Sequence, residues 1–200
     1  MCRALWHSFP LEGNRMSTKA RIDAAAIDLF IHMGVDAATT KLIAKAAEVS
    51  EGAIYRHYKS KDELALTLFM ATHRRLSALV EQAACGEQGV RAKAAAIVHA
   101  YCQAADEDWP RFTFHMLSIH RFLPFYQEDG RDPVSVVERL LKRSMLEAEL
   151  PPADPRVLAA MIIGLINQAA QNKAYGRFSE PLSAHAALMS AAVEAVLFAR

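Results

Sequence analysis

The stretch TTKLIAKAAEVSEGAIYRHYKSK, Thr39 to Lys61, gathers side chains whose shared chemistry is the binding of phosphate. Tyr55, His57 and Lys61 offer a phenol, an imidazole and an ammonium suited to phosphate oxygens. Arg56 offers a planar fork of donors that fits the O6 and N7 edge of guanine. Ser50 adds a hydroxyl at the head of a short helix, where unpaired backbone N–H groups also favour a phosphate or a base edge. Between Thr40 and Lys61, five cations (Lys41, Lys45, Arg56, Lys59, Lys61) outweigh two acids (Glu48, Glu51). The same residues could be no more than a solvated helix terminus, so the elements that hold them decide the reading.

Those elements are helical. Ile43, Ala47, Val49 and Ile54 have the spacing that lets two short helices cross over one small core, a helix-turn-helix pattern. Ala44 falls at the crossing point, and Gly52 and Ala53 keep the front of the second helix slim enough for a major groove. Upstream, a helix beginning after Ser17 or Thr18 puts Ile22, Ala26, Leu29, Phe30 and Met33 on one face, and Gly34 is its expected stop. Thr39 or Thr40 caps the next helix, through Ala47, and Ser50 caps a third. Ser60 caps a fourth, expected to reach about Gln82, with Glu63 completing a capping box.

Five more helices are expected at 87–105, 109–120, 132–148, 154–175 and 181–200. Asp132-Pro133 and Asp154-Pro155 each place a capping carboxylate before proline at the first helical position, where a missing N–H costs nothing. No run of alternating β-branched residues suggests a strand, so the fold expected is all-α with about nine helices. The chain divides into a tail, 1–15, expected to be disordered, a helix-turn-helix domain, 16–63, and a larger helical domain, 64–200.

Composition narrows the function classes. Of 200 residues, 52% are hydrophobic and 22% charged, within the range of soluble globular proteins. A formal net charge of +1 gives no long-range pull on nucleic acid, so any attraction must come from the local patch. Cys2, Cys85 and Cys102 are an odd set without CxxC spacing, which suggests neither a disulfide framework nor a zinc site; a reducing cytoplasm fits. The longest nearly uncharged stretch, Val157 to Gln171, is too short to span a bilayer. There is no Gly-rich phosphate loop, nucleophile elbow, HExxH or paired Glu-x-x-His, so neither catalytic residues nor a cofactor are expected.

The larger domain is less explicit. Trp109 to Tyr126, WPRFTFHMLSIHRFLPFY, concentrates aromatics that read either as core or as the wall of a ligand pocket. Tyr101, Trp109, Phe112, His115, Met116, Met145 and Gln168 are the pocket candidates. His115 and His120 are five apart and do not share a helical face, so no metal pair is expected. Cys102 reads as an inert buried thiol. The last two helices are apolar nearly all round and must be covered on both sides. Gly164, Ala169, Ala187, Ala191 and Ala195 would let a second subunit approach, giving a four-helix dimer interface.

The pattern T-x-x-x-I-A-x-x-A-x-V-S-x-G-x-I-Y-x-H-Y-x-x-K resembles the DNA-binding module of TetR-family transcriptional regulators, a likeness covering roughly Ala20 to Phe69. The resemblance implies a homodimeric all-α regulator, usually a repressor, that binds a palindromic operator on double-stranded DNA and releases it when a small apolar or aromatic effector enters the larger domain. It implies backbone contacts from Thr40, Tyr55, His57 and Lys61, and base or backbone contacts from Ser50, Glu51, Ala53 and Arg56. Two positions depart from the pattern. Glu48 stands where glycine is usual in the turn, implying a left-handed residue that costs about 1 kcal/mol or more. Glu51 stands where lysine is common and brings an acid to the groove-facing end. The alternative is a helical protein-interaction module without DNA binding, associating through the apolar terminal helices.

Overall fold

Each expected capping side chain bar one closes on the backbone it was placed to serve. Ser17 Oγ accepts from the Ala20 N–H at 3.1 Å to open α1 (Thr18–Ala37), and Thr39 Oγ1 accepts from Leu42 at 3.2 Å to open α2 (Thr40–Ala46). Ser60 Oγ accepts from Glu63 at 3.1 Å to open α4 (Lys61–Cys85). Asp132 and Asp154 accept from Ser135 and Arg156, both at 2.9 Å, to open α7 (Pro133–Leu146) and α8 (Pro155–Ala174). The exception is Ser50, whose side chain makes no cap bond to α3 (Glu51–Tyr55). The remaining helices are α5 (Val90–Glu107), α6 (Trp109–Phe122) and α9 (Ala186–Leu197). This computed structural model describes residues 16–122 and 132–199, and among these the chain is all-α, without a strand. The expected tail, 1–15, and the end of the aromatic segment, 123–126, lie outside the described residues.

Four details differ from the sequence expectation. Gly34 leaves helical geometry at φ 80°, as a stop would, but one further turn follows it to Ala37. The Glu63 carboxylate accepts at 2.5 Å from the Lys59 N–H rather than from that of the cap residue Ser60. No breaker stands before Gly86, so α4 continues past Gln82 to Cys85. The last helix opens with a 3-10 turn, Leu182–His185, because both carboxylate oxygens of Asp106 take the N–H groups of Leu182 and Ser183 at 2.9 Å each.

Two buried clusters organise these helices. The first joins Ile22, Ala26, Ile27 and Phe30 of α1 to Ile43, Ala44, Ala47 and Ile54 of the two short helices. It also takes Leu64, Ala65, Leu68 and Phe69 from the first half of α4 and, from α6, Phe114 and Phe122. The second is built from Leu76 of α4, Val98 and Cys102 of α5, Phe112 and Met116 of α6, and apolar residues of α7, α8 and α9. Burying a large apolar side chain stabilises by roughly 1.5–3 kcal/mol, and each core holds α4 and α6 through such residues, Phe69 and Phe114 in the first, Leu76 and Phe112 in the second. These two helices alone among the described ones place fully buried side chains in both clusters.

Candidate DNA-binding surface and ligand cavity

The short helices α2 and α3 cross as the apolar spacing required. Ile43 and Ile54 are wholly buried, Ala44 and Ala47 nearly so, and Val49 packs against them at the turn. The turn itself is made by Glu48 at φ 52°, a left-handed residue that is not glycine. Arg21 of α1 reaches across to hold it. Its guanidinium donates to the Ala47 carbonyl at 2.5 Å and to the Glu48 carbonyl at 2.8 Å, satisfying two acceptors that the short α2 leaves open. On the other side of α1, Asp23 accepts the Tyr58 hydroxyl at 2.6 Å and pins the end of α3 against the three-helix core. Burial, followed by that carboxylate, raises the Tyr58 phenol above its ordinary range.

What this scaffold presents outward is a small polar face. Ser50, Glu51, Tyr55, Arg56 and His57 are all exposed, Tyr55 by 53%. Thr40, half-buried at the start of α2, donates its hydroxyl to Glu51 Oε2 at 3.1 Å and so fixes that acid at the front of α3. Lys41, Lys45 and Lys59 are exposed around the same face. Lys61 is already engaged: its ammonium donates to the carbonyls of Asp36 at 3.0 Å and Ala38 at 2.8 Å, tying the start of α4 to the end of α1. Ala53 corrects the sequence reading. It is only 3% exposed, so it offers nothing to a groove. Gly52 alone keeps the front slim, with open space where a Cβ would stand except for Ser50 Oγ at 3.9 Å. Arg21 and the Thr40 to Glu51 contact were absent from the sequence reading, since both depend on how α1 and α2 lie in space.

A second feature lies behind this face. A cavity of about 150 Å³ opens between α4, α5, α6, α7, α8 and α9. Tyr101 and His115 line it as the sequence suggested, but the other five candidates do not. Phe112 and Met116 are buried in the second core, with Trp109 and Met145 packed on its edge, and Gln168 is exposed. Asn167 takes the place expected for Gln168, a 100° rotation back along α8, and its Oδ1 stands 3.5 Å from the Tyr101 hydroxyl. The partner of His115 is His73 of α4. The two imidazoles meet at 3.0 Å, both buried, and both stack on Phe69, at ring-centroid distances of 4.7 and 5.5 Å. Burial and then the neighbouring His73 push His115 down to about 3, so it stays neutral at ordinary pH. Cys102 is wholly buried, and burial, with Asp106, pushes its thiol up to about 11, consistent with an inert packing role.

Residues 22–68 match the DNA-binding domain of the bacterial regulatory proteins of the tetR family. The helix-turn-helix domain belongs to the TetR family. It is 33% identical over 79 residues to the HTH-type regulator TcmR of Streptomyces glaucescens, a match that covers 40% of this chain and 35% of TcmR. The chain thus spans about a third of the curated relatives it matches. Over most of its length the chain shares a fold with solved structures at low identity. The fatty acid degradation regulator FadR of Bacillus halodurans is 19% identical with a TM-score of 0.76, covering 92% of this chain and 96% of that one. A tetR-family protein of Rhodococcus RHA1 is 22% identical with a TM-score of 0.74, covering 93% and 100%. FadR of Bacillus subtilis, solved with stearoyl-CoA, is 18% identical with a TM-score of 0.68, covering 88% and 96%.

The surface expected to pair two copies of the chain carries Gly164, Ala187, Ala191 and Ala195, all exposed, whereas Ala169 is partly buried and packs on the second core. Met161 and Leu188 stand on the same two helices at 53% and 72% exposure. No helix among the described residues is long and apolar enough to cross a membrane, and no group of three His, Cys, Asp or Glu among them could hold a metal ion.

Proposed function

We propose that the protein is a cytoplasmic, ligand-responsive repressor without catalytic chemistry of its own, which binds a palindromic operator as a homodimer and is released by a small apolar effector. The observation that carries this reading is that α4 and α6 belong to both cores. Phe69 and Phe114 are buried with the helix-turn-helix, while Leu76, Phe112 and Met116 are buried with the second core, and between them His73 and His115 face the cavity. An occupant that separates α4 from α6 must therefore move the base of the DNA-binding face. Arg121 at the end of α6 reinforces the link, with ion pairs to Asp36 at 2.8 Å and Asp62 at 3.3 Å. In this reading Tyr55, His57 and Lys59 contact backbone phosphates, Arg56 reads guanine, and two α3 helices related by a dyad occupy successive major grooves. That Bacillus subtilis FadR holds stearoyl-CoA in the same fold supports an apolar effector.

Fluorescence anisotropy against DNA from the region upstream of the protein's own gene, with a scrambled competitor, tests the proposal. Specific binding is expected, weakening as salt rises. Arg56→Ala should cost about 1–3 kcal/mol and relax the preference at one base position. Binding no tighter than to the scramble, repeated on operators from unbiased selection, would leave a protein-interaction module as the better account.

A further inference from the structure

The cavity walls restrict the occupant further than its apolar character does. Fourteen of its twenty-three lining residues are valine, isoleucine or leucine, and Tyr101 is the one benzenoid ring among them. The walls are also long. Lining positions on α5 run from Val90 to Tyr101 and those on α7 from Asp132 to Ser144, about 16 and 18 Å at the helical rise. A space of about 150 Å³ drawn out along such walls is a narrow channel, not a chamber. A benzene-sized ligand fills a compact cavity of that volume, so the channel holds a chain of about six to ten carbons.

Its polar groups are few, and most are uncharged or already matched. Asp132 is committed to the Ser135 N–H and hydroxyl. Lys93 is the one lining cation, and the nearby Glu147 carboxylate is taken by Arg143 at 2.8 Å. Ser144 donates to Glu149 at 3.0 Å. His73 and His115 meet one another at 3.0 Å. The Tyr101 hydroxyl and the Asn167 amide stand 3.5 Å apart, too far to satisfy one another well. A hydroxyl within reach of both would accept from the phenol and donate to Asn167 Oδ1, and an ester or thioester carbonyl would accept from the phenol.

We infer that the channel binds a straight aliphatic chain of medium length carrying one uncharged oxygen, an alcohol, ester or thioester, held between Tyr101 and Asn167. The inference rests on the reading of this cavity as the effector site. It disfavours a planar aromatic ligand, whose ring partners would be Tyr101 and two imidazoles already stacked on Phe69, and a free carboxylate, which at this seat would meet Asn167 Oδ1, another acceptor, and would have to turn to Lys93 instead.

Isothermal titration calorimetry of the full chain without DNA separates this from the regulator proposal, since failure here leaves operator binding untouched. The probes are hexan-1-ol, heptan-1-ol, octan-1-ol, sodium octanoate, octanoyl-CoA and 2-naphthol. Affinity is expected to rise about fourfold per methylene along the alcohols. Octanoate should bind at least tenfold more weakly than octan-1-ol. Tyr101→Phe, which keeps the ring and its packing, should weaken octan-1-ol about fivefold, and Val137→Trp should block it, with melting curves checking that each variant folds. Octanoyl-CoA binding as tightly as the alcohol would identify a thioester as the source of the chain; binding of the alcohol alone would identify a free lipid. Tighter binding of 2-naphthol, octanoate equal to octan-1-ol, or no effect of Tyr101→Phe would overturn the inference.

Discussion

At the scale of single residues, the most unusual choice in the helix-turn-helix is Glu48. Its φ of 52° is a conformation that costs a side-chain-bearing residue about 1 kcal/mol, and its carboxylate recovers little. The contact to Arg21 is 3.5 Å on an acid that is 88% exposed, in the class of surface pairs worth well under 1 kcal/mol. Arg21 holds the turn through the Ala47 and Glu48 carbonyls instead, which no side-chain substitution at 48 removes. Glu48→Gly should therefore raise the unfolding free energy by about 0.5–1 kcal/mol, while Glu48→Ala, which loses the carboxylate but keeps the strain, should change it little. Urea denaturation of the pair decides it: equal stabilities would mean that the turn is not strained at this position. Glu51 poses the complementary question of specificity. Its carboxylate is held by the Thr40 hydroxyl at 3.1 Å, and in the proposed complex it would accept from a cytosine amino group. Glu51→Lys is expected to shift operator preference in a selection experiment and to steepen the salt dependence of binding, and an unchanged preference would show that the acid faces away from the bases.

At the scale of elements, legibility followed the range of the interactions. Ser17, Thr39, Ser60, Asp132 and Asp154 announce their helices because a cap is a contact within three residues, which a sequence states directly. The end of α4 fell three residues past the expected one because nothing between Gln82 and Gly86 breaks a helix, and the glycine itself marks the stop. The pocket was legible only in part. Aromatic residues on α6 read alike whether they fill a core or line a channel, and only the placement of α7 and α8 turned Phe112 and Met116 inward and Asn167 toward Tyr101. The pairing of His73 with His115 lies 42 residues apart in the chain and has no local signature. It does have a measurable consequence. His115 is held neutral to about pH 3 in the fold but titrates near 6.5 when unfolded, so the unfolded chain binds the additional proton between those values. Stability is lost as pH falls through that window, by up to about 1.4 kcal/mol per unit. His115→Gln removes this titration, so its deficit relative to the parent should shrink by about 2 kcal/mol between pH 7 and pH 5. A constant deficit across that range, measured by urea denaturation, would mean that His115 is not held neutral.

At the scale of the whole molecule, a formal charge of +1 has to be reconciled with a proposed partner as negative as DNA. One helix-turn-helix presents Lys41, Lys45, Arg56 and Lys59 to a duplex against Glu48 and Glu51, and Lys61 is occupied by backbone carbonyls. So few cations release few counterions, and a single module would hold DNA weakly. Doubling the contacts by symmetry is the physical remedy, and the exposed face of α8 and α9, with Met161, Gly164, Leu188, Ala191 and Ala195, is the surface that can supply it. A charge placed there would be buried without a partner in a dimer but solvated in a monomer. Leu188→Glu, at a residue 72% exposed in the single chain, should leave helix content and alcohol binding unchanged while light scattering after gel filtration shows half the parent mass. Operator affinity should then fall at least a hundredfold, and the slope of log affinity against log salt should drop to about half, because each complex now releases the ions of one module. A variant that keeps the parent mass and slope would place the subunit interface, and with it the spacing of the two α3 helices, elsewhere on the surface.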